Sequence, residues 1–213
     1  PHFSIQHEFN KNRFNTLNSF IKFLQTVKDY GSNQVLLVSG SQKRLTLDSV
    51  SALSYLNNNK LFSNSDLSIG VAVNPYLPSF LFEDEIVNLD KKIKSGFVTS
   101  IWIQFGTDCK LLERRIEKIK KIIFLFEQTF SKKSNISIFG SILLPSKQFQ
   151  ARFKYRPWKG VYCSSQFLNS VDFAMENITK IFETYSMHEI NPIIETKICN
   201  EKELGSLINL LRV

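Results

Sequence analysis

Few residues in this sequence have both the type and the spacing for chemistry. Ser39-Gly40-Ser41 follows a clean strand-like run, and its backbone N–H groups could approach a phosphate; a plain strand-terminating turn reads the same way. His2, His7 and His188 lie near no G-x-S-x-G elbow or catalytic cysteine signature, so a nucleophilic triad has no support. His2 stands at the start of a strand-like run, where its ring either faces a barrel mouth or packs. Cys109, Cys163 and Cys199 are odd in number and far apart, without metal-ligand spacing, which points to a reducing cytoplasm and no structural metal. No glycine-rich phosphate motif is present. Phe149, Arg152, Phe153, Lys154, Tyr155, Arg156, Trp158 and Lys159 interleave rings and cations, the composition of a base-stacking, phosphate-tracking surface, but no recognised nucleic-acid module surrounds them. In Lys110 to Lys121, Leu112, Ile116 and Ile119 form a core stripe, and the charges read as a solvated face.

The elements that must position these groups alternate from end to end. Strand-like runs are Phe3 to Ile5, Gln34 to Val38, Leu67 to Val73, Thr99 to Phe105, Asn135 to Leu143 and Ile193 to Ile198. Between them apolar residues recur at three- and four-residue spacing, as in Leu17, Phe20, Ile21, Leu24 and Val27, or Ala174, Ile178, Ile181 and Tyr185. Six βα units without a Pro/Gly/Ser-rich linker predict one α/β domain over residues 1–213, either doubly wound or part of a barrel. The longest irregular stretch is Pro145 to Asn169, after the fifth strand, where such folds place their sites.

Composition agrees with a globular chain: 43% hydrophobic, 13% aromatic, with 19 Phe against 8 Gly and 6 Pro, which excludes collagen-like and disordered chains. No apolar run approaches the roughly 18–20 residues of a membrane span. The net charge of +8 favours anionic partners, or is a Lys-rich solvated surface. At 213 residues the chain is short for a full eightfold barrel, which takes about 250.

Taken in order, several stretches resemble the methylenetetrahydrofolate reductase family, a flavin-dependent TIM-barrel family. PHFSIQ (Pro1 to Gln6) is similar to the family's third strand, VLLVSGS (Val35 to Ser41) to its fourth, and IGVAVNPY (Ile69 to Tyr76) to its fifth. NLDKKIKSG (Asn88 to Gly96) resembles the Lys-rich helix that follows, IWIQF (Ile101 to Phe105) the sixth strand, and SILLPSKQFQA (Ser141 to Ala151) the Gly-Ile-Leu-Pro stretch. KGVY (Lys159 to Tyr162) looks like a degraded form of a later segment.

The resemblance implies a TIM-barrel-type (β/α)8 fold, with six βα units visible and the first two missing. It implies hydride transfer from NAD(P)H through FAD to 5,10-methylenetetrahydrofolate, with a homo-oligomer left open. His2, Val38, Ser39, Gly40, Ala72 and Asn74 would line the flavin ring and ribityl chain, and Asn88, Lys91 and Lys92 the adenine and pyrophosphate end. Gln104 would hydrogen-bond the pterin and Phe149 would stack on substrate or nicotinamide. Departures accompany the matches: Ser41 replaces the family's acidic residue, Asn74 its Tyr and Ser39 its Arg, while the first-strand Glu is absent. Glu83, Asp84, Asp108 and Glu195 are the carboxylates available to stand in for the lost acidic residue, with helix capping the natural role of Asp108. The competing readings are a divergent, weakly active or non-catalytic paralogue that binds a folate or another anion, and a nucleic-acid-binding α/β protein.

Overall fold

The computed structural model describes residues 1–8, 12–40, 47–62, 66–130, 134–196, 198 and 200–211. Ser41 and Cys199 lie outside the described residues. The elements are β1 (His2–Ser4), α1 (Arg13–Asp29), β2 (Gln34–Val38), α2 (Ser49–Asn58), β3 (Ser68–Val73), α3 (Ser79–Lys94), β4 (Val98–Ile103) and α4 (Cys109–Phe130). They continue with β5 (Ser137–Ile142), α5 (Lys147–Tyr155), α6 (Ser165–Asn169), α7 (Val171–Met187), β6 (Asn191–Ile194) and α8 (Glu201–Leu210). The sheet order is β1-β2-β3-β4-β5-β6, with parallel pairing, so the fold is α/β with helices alternating between parallel strands, as expected.

Contacts divide the chain into two compact units. The first contains Pro1–Val73, Glu83–Trp102 and Ile119–Ser137; the second contains Asn74–Phe82, Ile103–Lys118 and Ile138–Val213. In the first unit, β1 pairs with β2 through Phe3↔Leu37, and β2 with β3 through Val35↔Ile69 and Leu37↔Val71. Val35, Leu37, Ile69, Val71 and Val73 are buried, as are Leu17, Phe20, Leu24 and Val27 of α1. Alternation therefore commits one side of β3 to the apolar core and leaves Ser68, Gly70 and Ala72 on the other. Phe3 meets Phe20 with ring centroids 5.2 Å apart, closing β1 onto α1.

In the second unit, β5 pairs with β6 through Ser141↔Ile193 and Ile142↔Ile194. Tyr185 of α7 is fully buried, with its ring against Gly140, where any side chain would overlap it. Pro145 to Asn169, expected as one irregular stretch, instead contains α5 and α6. Ser146 Oγ accepts from Phe149 N at 3.0 Å and Ser164 Oγ from Phe167 N at 3.1 Å, so each short helix starts on a serine cap. Gln150 Nε2 then donates to Phe167 O at 2.6 Å, tying α5 to α6. The sixth strand ends at Ile194, not Ile198: Glu195 N makes a last backbone bond to Ile142 O at 2.9 Å, after which Leu144 N donates to the Thr196 side chain, Oγ1 at 2.6 Å, in place of a backbone partner.

Candidate functional site

The second unit builds a cleft where β4 ends. Gly106 pairs with Tyr162 as an isolated parallel bridge, and Thr107 N donates to Tyr162 O at 3.0 Å. Ser164 N donates to Thr107 Oγ1 at 2.9 Å, and Asn74 Nδ2 donates to Gly160 O at 2.7 Å. These bonds hold the segment after α5 beside the strand end and enclose a cleft of about 640 Å³ lined by Thr107, Asp108, Phe153, Lys154, Tyr162 and Cys163, among others. The volume suits a small-molecule ligand.

Its polar groups are few and opposed in sign. Asp108 caps α4: Oδ1 accepts from Leu111 N at 2.9 Å, as the sequence predicted, and Oδ2 is left for another donor. Lys154 is exposed on α5. The apolar wall is stiffened from behind, where Phe149 meets Phe153 at 5.7 Å and Trp158 at 5.5 Å, and Phe167 meets Phe105 at 6.0 Å. Phe149, Phe153 and Trp158 of the basic and aromatic run thus pack together, although Tyr155 remains 91% exposed.

Behind the cleft lies a buried polar cluster. Asn177 Nδ2 donates to Thr107 O at 3.0 Å, while Asn177 Oδ1 and the hydroxyl of Tyr76 have no hydrogen-bond partner. Burial, then the neighbouring Tyr185, Cys109, Asp108 and Cys163, pushes the Tyr76 phenol well above its usual range. Burial likewise raises Cys109, and it pushes Cys163 from 9.0 up to about 12. The folded state therefore favours neutral thiols. Their contribution to stability is complete below about pH 9 and is lost as pH rises towards about 12. Urea titrations should show a flat stability to about pH 9 and a decline above it that Cys163→Ala reduces; an unchanged decline in that variant would contradict the assignment.

The residues singled out in the sequence divide between the units. In the first, His2 is exposed at the start of β1, Val38 ends β2, and Ala72 is half-buried on β3. Ser39 Oγ donates to Ser49 Oγ at 2.8 Å and accepts from Ser49 N at 3.0 Å, so it serves the start of α2. Asn88, Lys91 and Lys92 lie in the second half of α3, which runs back towards the start of β4. Lys91 is exposed, Lys92 is only 6% exposed, and no carboxylate pairs with either among the described residues. In the second unit, Gln104 is half-buried directly after β4, Phe149 belongs to the aromatic wall, and Asn74 spends its amide on Gly160 O and on Tyr76 N, the latter at 3.0 Å. Thr107, Cys163 and Arg115 were missed. Arg115 was read as solvated, but it is 6% exposed and donates to Pro75 O and Leu77 O, with its guanidinium 4.2 Å above the Phe82 ring.

At the ring end of the FAD that the resemblance implies, Ser39 and Asn74 already have internal hydrogen-bond partners and are poorly suited to hold it. Among the described residues, no group of His, Cys, Asp and Glu could hold a metal. No helix is long and apolar enough to cross a membrane.

No family model and no curated protein matches the chain. Among solved structures, it is similar to a protein from Clostridium thermocellum, described as uncharacterised, that binds two copies of 5-methyl-5,6,7,8-tetrahydrofolic acid. Identity is 14%, the TM-score is 0.65, and the match covers 98% of this chain and 70% of that one. That likeness shows the shared α/β fold. A homocysteine methyltransferase from Escherichia coli follows at 7% identity and a TM-score of 0.35, covering 93% and 86%, too distant to bear on the argument.

Proposed function

We propose that this chain binds a reduced folate, with the cleft at the end of β4 as the site. One observation carries the reading: a single cleft sets a carboxylate with an unused oxygen, Asp108, and an exposed cation, Lys154, around an apolar wall. A folate has matching parts. The N–H groups on its pterin edge suit a carboxylate acceptor, its benzoyl ring suits the wall at Phe153 and Leu168, and its glutamate carboxylates suit Lys154. The fold shared with a protein that binds 5-methyltetrahydrofolate supports the reading. Flavin-dependent reduction of methylenetetrahydrofolate by NAD(P)H is the finer form of the same reading, and it stands or falls with flavin uptake.

Calorimetric titration with 5-methyltetrahydrofolate tests it. Wild type should give saturable heat, and Asp108→Asn should weaken affinity about tenfold or more, since a lost charged hydrogen bond costs about 1.5–3 kcal/mol. Asparagine is as good a helix cap as aspartate, so the melting temperature should not move. Lys154→Ala should weaken binding by a smaller factor. Absence of heat from wild type, or full affinity in both variants, would remove the cleft from consideration.

A further inference from the structure

Of the six residues that the resemblance sets along the flavin ring and ribityl chain, His2, Val38, Ser39, Gly40 and Ala72 lie in the first unit and Asn74 in the second. The first-unit part of that surface is half-buried, with His2 and Gly40 exposed, and the chain's own side chains stand against it. Gly40 has φ +89°, and the Gln6 side chain packs so closely on it that a methyl group there would overlap Gln6 Cβ and Oε1. Ser39, beside it, has committed its hydroxyl to Ser49 as both donor and acceptor.

A second cover lies on β3. Gly70, on the same side of the strand as Ala72, lies against the edge of Trp102: a methyl group built on it would be 2.7 Å from Trp102 Nε1 and 2.7 Å from Ser100 Oγ. Trp102 Nε1 donates to Ser100 Oγ at 3.0 Å, which fixes the half-buried indole in place. A planar ring system binds by stacking on a flat, accessible surface and by meeting unspent donors at its edge. Here the surface carries a side chain at each end, and its hydroxyl is used.

We infer that Gln6 and Trp102 stand where a flavin ring would lie, so that this chain holds its ligand without FAD. The exclusion rests on the first unit alone; only the identity of the ligand rests on the folate reading. Lys91 remains exposed to an anion, but it cannot place a ring that is denied its seat.

The test mixes the full chain with excess FAD, removes free cofactor by gel filtration and records the visible spectrum, while calorimetry on the same sample measures 5-methyltetrahydrofolate. Wild type should emerge colourless. The double variant Gln6→Ala, Trp102→Val, which clears both side chains and leaves the cleft untouched, should gain FAD affinity by about tenfold or more. FAD retained by wild type overturns the inference whatever the folate result. No FAD retained by either protein, with cooperative melting in both, overturns the roles of Gln6 and Trp102. Absent folate heat with colourless wild type and a gain in the double variant sinks the folate reading and leaves the exclusion standing.

Discussion

Arg115→Ala is expected to destabilise the chain by about 4 kcal/mol and to lower its thermal midpoint by about 10 °C. Arg115 is 6% exposed, and its guanidinium donates to the carbonyls of Pro75 and Leu77 while lying over Phe82. Each charged hydrogen bond to a buried acceptor is worth about 1.5–3 kcal/mol, and the ring contact adds roughly 0.5–2 kcal/mol, with less than full additivity. Alanine would leave both carbonyls without that partner. The same two carbonyls flank Tyr76, whose ring packs on Gly106, so the loop that supports the strand end loosens as well. Arg115→Lys should recover part of the loss, because an ammonium presents its donors from one point and lacks the planar fork that spans two acceptors. Differential scanning calorimetry of the three proteins decides the matter; a midpoint for Arg115→Ala within about 2 °C of wild type would show the anchor to be idle.

Phe167→Ala should cost about 3–5 kcal/mol, as truncations of buried phenylalanines do when a cavity remains. The side chain is fully buried and touches Phe105 and Phe149 edge-on, at centroid distances of 6.0 and 6.5 Å, so its removal breaks the stack in the middle. Phe167→Leu, which keeps much of the volume, should cost under about 1.5 kcal/mol. The mechanism leaves a spectroscopic trace. Trp158 packs on Phe149 and Phe153, so alanine at 167 should weaken its near-ultraviolet circular dichroism before global unfolding, whereas leucine should preserve it. Equal urea midpoints for Phe167→Ala and wild type would mean that the wall carries no such load.

The strands were legible because burial in this sheet follows alternation. Gln34–Val38 matches to the residue, the third strand ends at Val73 as expected, and the remaining boundaries differ by one to four residues, most at the end of the sixth strand. The helices hidden in Pro145 to Asn169 were obscured by their own composition. In Lys147–Tyr155, Phe149 and Phe153 are four residues apart, but the basic and aromatic neighbours drew attention to a binding surface. The cap role of Asp108 was readable because it needs only a local partner. Asn74 was not, since its amide answers to Gly160, 86 residues later. Arg115 carried no signal at all: one cation in a row of cations is singled out only by the carbonyls that the fold brings to it. Flavin contacts read from position alone likewise said nothing of whether each polar group would still be unspent.

The segment after α5 is fastened at Gly160, Tyr162 and Ser164, every second residue, by Asn74, Thr107 N–H and Thr107 Oγ respectively. That spacing gives it the periodicity of a strand, although it belongs to none. The wall of the cleft is therefore stitched and not hinged. Three hydrogen bonds at alternate residues set the position of that wall before any ligand arrives, so a guest meets a surface shaped in advance.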